Sequence, residues 1–442
     1  MPILGTIASG YVEPNLYWNR SLGGGSQGQD SPGGLILDST NNVYLSSRNL
    51  TGGGNTYNSI QSKFSNNGDV LWQRKVTPAL NGFKIAIDSS DNTYYCGTDH
   101  SGEGNNGILI LKYNSSGTLQ WQRKLGSSGS VGSAVGCDSS NNIYVFGRSS
   151  GNGSYTDGIV AKYNSSGTIQ WQRRLSPSTN NPFYVEGGSV DPSGNSYIVG
   201  SSSSNRAIIA KYNSSGTIQW QKQLYFDFGG ASNANFAKSM TVDSSGNIYV
   251  GVSWSIFDSQ NRNIVKYNSS GGLVWQKQLS LTSGNYFIHG NMTTDSSGNL
   301  YATFGEGYSQ SFDSPFFIKF DSSGNILFIR KINFDYSANG SGGPISIGST
   351  GDIYFSVNSG GYGQNQTRIE LLKVPGDGSK TGSWSKNGTT YTYAAKTGVS
   401  VSDSSLTNSD STIYTDNSSS LSDSVSTLSE TSESLATEFS LI

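Results

Sequence analysis

The sequence is poorest in the residue types that most often do chemistry. Two histidines, two cysteines and three methionines occur in 442 residues. His100 and His289 stand far apart, and neither has a histidine or cysteine neighbour at metal-ligand spacing, so no metal site is expected. Cys96 and Cys137 are too few for a disulfide framework; both fall inside strand patterns and read as buried free thiols. No G-x-S-x-G elbow stands between a strand and a helix. Charged residues make up 13% and the net charge is −2, which leaves no electrostatic footprint for nucleic acid. No apolar run approaches the roughly 20 residues that span a bilayer. The opening MPILGTIASG lacks the basic and apolar regions of a secretory signal.

What is abundant points the other way. Glycine reaches 57 residues, tyrosine 25 and phenylalanine 18, a composition that favours strands and turns over helices. The segment KYNSSGTIQWQRRL at Lys162 recurs nearly unchanged at Lys112 and Lys211, and recognisably at Lys63, Lys266 and Lys319. A second signature, DSSGNIYV at Asp243, recurs at Asp38, Asp88, Asp138, Asp191 and Asp295, with a degenerate seventh copy at Gly348. Trp18, Trp72, Trp121, Trp171, Trp220 and Trp275, with Phe328 in the seventh place, recur at intervals of 49 to 55 residues. That period suits one four-stranded propeller blade. In one unit, 133–138, 142–147, 158–163 and 168–175 read as strands a to d, joined a–b and c–d by short Ser/Asn/Gly turns. The fold class is all-β, a seven-bladed propeller. Trp18 precedes the first strand a, so its segment can close the seventh blade beside Lys373; Trp384 is the rival for that place.

These two motifs resemble the SBBP and NHL type of propeller repeat over Tyr17 to about Val374. The resemblance implies the fold and says little of function, since propellers host enzymes, scaffolds and adhesins. The Trp-bearing c–d hairpin also resembles the docking motif of quinoprotein propellers. The vicinal cysteine pair of some members is missing and no acidic calcium ligands can be assigned, so no cofactor is expected. The termini, MPILGTIASG and SWSKNGTTYTYAA with its Ser/Thr-rich sequel, resemble structural proteins of marine tailed phages. That likeness implies a tail-fibre or capsid-surface protein in a virion, attached through its termini.

Among carboxylates, Glu103, Glu186 and Glu306 read as scattered one per loop, so no glycosidase pair is proposed by spacing. The repeated Asp of DSSGN reads as a turn cap rather than a calcium ligand. Asn114, Asn164, Asn213 and Asn268 begin N-S-S sequons whose common place in the c–d turn explains them. Two columns are always basic: Lys63, Lys112, Lys162, Lys211, Lys266, Lys319 and Lys373, and Arg20, Arg74, Arg123, Arg173, Lys222, Lys277 and Arg330. Such a belt could attract an anionic polymer; the preferred reading is that long cationic side chains cover strand c and shield outer strands from edge pairing.

The b–c and d–a connections carry the variation and lie on one face. In the fourth to sixth units they hold Tyr225, Phe226, Phe228, Phe236, Trp254, Phe257, Tyr286, Phe287, Tyr308 and Phe312, a set suited to stacking on sugar rings or to a protein contact. The chain divides into an attachment segment (1–14), the propeller (15–375), a connector with a possible extra strand (376–396) and a tail (397–442). In the tail, Leu406, Ile413, Leu421, Leu428, Leu435 and Ile442 keep a near-heptad spacing. Serine and threonine form poor helices, so an extended docking or a thin coil on a partner is expected, another copy or a neighbouring virion protein. The leading expectation is a non-enzymatic virion protein binding a host glycan or a neighbouring protein. The alternatives are a polysaccharide-acting enzyme and a bacterial surface or secreted scaffold.

Overall fold

The computed structural model describes residues 18–23, 30–50, 57–77, 80–99, 107–126, 129–150, 156–177, 182–203, 206–225, 235–254, 261–281, 286–308, 311–334, 342–359, 368–379, 381–386, 389–397, 399–403, 407–410, 414–418, 423–424, 429–432 and 436–441. They form seven antiparallel sheets, six built on four consecutive strands a to d and the seventh on three consecutive strands and the N-terminal one. In the third blade these are Val131–Cys137, Ile143–Ser150, Thr156–Tyr163 and Ile169–Pro177. Strands run longer than the motifs suggested at their loop-rich ends, because pairing continues past the alternating core.

Trp18–Gly23 pairs with Arg368–Val374, with Trp18 opposite Lys373, so the N-terminal strand closes the seventh blade. Trp384 lies instead in Gly382–Lys386, which pairs with Thr389–Ala395 beside the sixth blade. Apolar side chains of each blade interlock with the next. One buried cluster, for instance, joins Tyr94, Cys96 and Ile110 of the second blade to Ile143, Val145 and Ile159 of the third. Inner strands crowd around the axis, so small residues stand there: a Cβ on Gly188 would come within 2.2 Å of the Phe146 ring.

The repeat motifs form one circumferential network. Asp138 accepts from the Asn142 backbone N–H and side-chain amide, both at 2.9 Å, and from the Tyr144 hydroxyl at 3.1 Å. That is the turn-capping role, performed by a buried carboxylate. The sequon Asn164 does the same for the c–d turn, accepting from Thr168 N–H at 2.9 Å. Blade two grips that turn with three donors: Lys112 Nζ and the Trp121 indole reach the Ser165 carbonyl at 3.0 and 3.1 Å, and Arg123 Nε reaches that of Gly167 at 2.8 Å. Gly167 has φ 77°, and a Cβ there would lie 2.9 Å from the Trp121 ring. Both facts require glycine. At the closing seam, Asn66 takes bonds from the Trp18 indole, Tyr354 and Lys373 at 2.9, 2.6 and 2.8 Å.

The lysine column does more than cover strand c: Lys63, Lys211, Lys266 and Lys373 are buried, and Lys112, Lys162 and Lys319 are half-buried. Lys63 is buried and pairs with Asp38 at 3.0 Å, because strand c sits inside the blade stack. Cys96 is buried, with its thiol pushed up to about 12 by burial; Cys137 is only half-buried.

The tail is extended, and it pairs in cis. After Thr389–Ala395 on the sixth blade, short strands add a fifth member to the fifth, fourth, third, second, first and seventh blades in turn.

Candidate functional site

Strand a of several blades carries a β-bulge in its first half, on the side of the d–a connections. The register slips between Pro32 and Gly34, Asn81 and Lys84, Gly132 and Ala134, Val185 and Gly187, and Ala237 and Ser239. A bulge frees one residue from the ladder and re-aims its side chain. Here the freed or adjoining residues include Lys84, Ser133, Glu186 and Lys238, and all line an axial cavity of about 270 Å³. Asn291 of the sixth blade joins them, its N–H held by Thr303 Oγ1 at 2.8 Å.

The cavity is charged in one sector. Lys238 Nζ stands 3.6 Å from Glu186 Oε1, and both side chains remain solvent-accessible. Lys84, across the channel in the second blade, is half-buried. Burial lowers its ammonium pKa, and the Glu186 carboxylate partly restores it. Ser133 is spoken for, its hydroxyl donating to the Val185 carbonyl at 2.9 Å. Among the described residues lining the cavity, Lys84 and Lys238 are the basic ones and Glu186 is the acidic one. Two residues before Glu186, exposed Tyr184 carries the Arg148 guanidinium over its ring at 5.5 Å, on the same loop-rich side.

The sequence candidates fall as follows. Tyr225, Phe236, Trp254, Tyr286, Phe287, Tyr308 and Phe312 belong to strands at the ends that meet b–c or d–a connections, and their description stops at the backbone. Phe226, Phe228 and Phe257 lie outside the described residues, as do Glu103 and His100. His289 lies in Tyr286–Thr294, likewise described by backbone alone. Glu186 and Glu306 are corrected from loops to strands. They are not brought together: Glu306, buried in the sixth blade, pairs with Lys396 at 2.5 Å. Lys84, Arg148, Tyr184 and Lys238 escaped the sequence reading. For Lys84 and Lys238 the signal was available in the aligned repeats, where the positions four and five before the capping Asp vary among Gly, Ala, Ser, Asn, Phe, Lys and Glu; Arg148 and Tyr184 lie outside those two positions.

Fold and site together define a closed, seven-bladed propeller with a polar axial mouth. Residues 105–313, just under half of the chain, match the family model described as outer membrane protein assembly factor BamB. No curated protein matches the chain. Among solved structures, the polysaccharide lyase Uly1 superposes with a TM-score of 0.51 at 11% identity, over 78% of this chain and 90% of that one. A PL25 ulvan lyase bound to -[GlcA(1-4)Rha3S]- gives 0.47 at 9%, over 81% and 95%. A protein of unknown function from Dyadobacter fermentans gives 0.44 at 8%, over 80% and 98%. Likeness at such identity shows the fold alone.

Proposed function

We propose that the protein is a non-enzymatic recognition module that binds an acidic glycan at its axial mouth. The observation that carries this is the convergence of Lys84 and Lys238 on one cavity, with exposed Tyr184 on the same side. Ammonium groups receive a uronate or sulfate ester, and an aromatic ring accepts the apolar face of a sugar. Among the described residues the one carboxylate lining this cavity, Glu186, is tied to Lys238, which argues against a general acid–base pair there. A setting on a phage particle, as tail fibre or capsid-surface protein, rests on the resemblance of the termini, and glycan binding does not depend on it.

Calorimetry with uronate-bearing, sulfated and neutral oligosaccharides tests the reading. The acidic ligands should bind and the neutral ones should not, and Lys84→Met or Lys238→Met should weaken binding at least about tenfold. Turnover of the oligosaccharide, abolished by Glu186→Gln, would instead establish an enzyme.

A further inference from the structure

The outer strand d of every blade would be an open edge, and each is occupied by the chain's own C-terminal segment. The order is the sixth, fifth, fourth, third, second, first and seventh blade, and every pairing is antiparallel. The reversed order follows from geometry. Successive strands rotate by about 20–25°, so strand d is turned some 60–75° from strand a and runs largely around the perimeter. A segment antiparallel to every d must then travel backwards around the ring. The strands begin at residues 399, 407, 414, 423, 429 and 436. These starts are six to nine residues apart, one per blade; Leu406, Ile413, Leu421, Leu428, Leu435 and Ile442, which are similarly spaced, lie outside the described residues. About seven extended residues cover roughly 23 Å.

Charge matches topology. From residue 397 onward the chain has seven acidic residues and no Lys or Arg, while residues 1–396 hold 28 basic against 23 acidic ones. The tail is thus −7 and the remainder +5. In the ladders, Asp403 stands opposite Lys277 and Asp410 opposite Lys222. Asp416, Asp423 and Glu430 stand opposite Leu175, Leu125 and Val76, one diagonal place from Arg173, Arg123 and Arg74. Direct neighbours in such ladders lie about 5 Å apart and diagonal ones about 7–8 Å. The last strand, Ala436–Leu441, pairs with Trp18–Gly23, the strand that closes the seventh blade.

We infer that residues 397–442 are an intramolecular ligand of the propeller rim, an acidic belt recognised by the basic outer strands, which locks the N-terminal closing strand and covers the blade edges. The anionic polymer that the basic column suits is the chain's own tail. Its recognition is electrostatic as well as backbone-mediated, so the belt loosens with salt while the blades do not.

The test uses the full chain. Hydrogen exchange at low ionic strength should show protected amides within 399–441, and at about 1 M salt, where screening acts beyond about 3 Å, their protection should fall about tenfold or more. Amides of strands b and c should not change. A variant carrying D403N, D410N, D416N, D423N, E430Q and E438Q should lose the same protection at low salt and self-associate through its uncovered edges. A Gln223→Cys/Ser409→Cys pair, directly opposed in the ladder, should cross-link at monomer mass. Tail amides exchanging freely in the wild type, protection indifferent to salt and to the six neutralised acids, or cross-linking only at dimer mass would each overturn the inference.

Discussion

The two faces of this ring are built from the same strands and obey different rules. On the face of the a–b and c–d turns, the same Asp, Tyr, Lys, Trp and Gly recur, and most bond within their own blade or to the next, the Tyr44 hydroxyl and the Trp220 indole being exceptions. On the axial side facing the d–a connections, bulges break the repeat, and Lys84, Glu186, Lys238 and Tyr184 each occur once. A group repeated around the ring and bonded to its neighbours serves closure; the groups that occur once are the ones to which the proposed glycan site is assigned. The first face should therefore be costly to alter and the second cheap.

The largest expected effect is alkaline. Tyr44, Tyr94, Tyr144, Tyr197, Tyr249, Tyr301 and Tyr354 all have phenol pKa values raised above the ordinary 10 by burial, Asp charges adding to it. A group whose folded pKa is raised binds its proton more tightly in the native state. Its contribution is complete below the unfolded pKa near 10 and is lost progressively as pH rises from there toward the raised folded value. Urea midpoints should be flat through neutral pH and fall steeply above pH 10, and Tyr144→Phe should make that fall shallower. A midpoint unmoved between pH 9 and 11 would refute the network.

Next in size is glycine. Gly167→Ala places a methyl against Trp121 at a positive φ and should cost about 1–3 kcal/mol in urea unfolding. Gly187→Ala, on the channel side, meets only ordinary contact at 3.4 Å from Val199 and should be neutral or slightly stabilising, by up to about 1 kcal/mol. Equal costs would erase the distinction between the faces. The smallest effect is at the mouth: Lys84→Met removes a desolvated cation and should raise stability by about 1 kcal/mol while weakening the acidic ligand. A loss of stability there would make Lys84 structural.

Much of the ring was legible because repetition amplifies weak signals: one Trp hairpin is ambiguous, and seven aligned copies are not. The capping role of Asp138 and the turn role of Asn164 could be read from spacing, since both act within four residues. The partners of Lys63 and Arg123 could not, because they lie in the next blade, 52 and 44 residues on. The tail was half legible for the same reason: its spacing left an extended docking and a thin coil both open, and only with the blades in place does the extended segment find its strands d within its own chain.

By itself the sequence determined the number of blades, their strand order and the turn caps, all consequences of local pattern and its recurrence, and it left Trp18 and Trp384 as rivals for the strand that closes the circle. Only the tertiary structure decided which basic column is buried, which residues meet across the axis, and where the acidic tail lies. Those depend on contacts between blades, and the distance between blades is set by how whole sheets pack and twist.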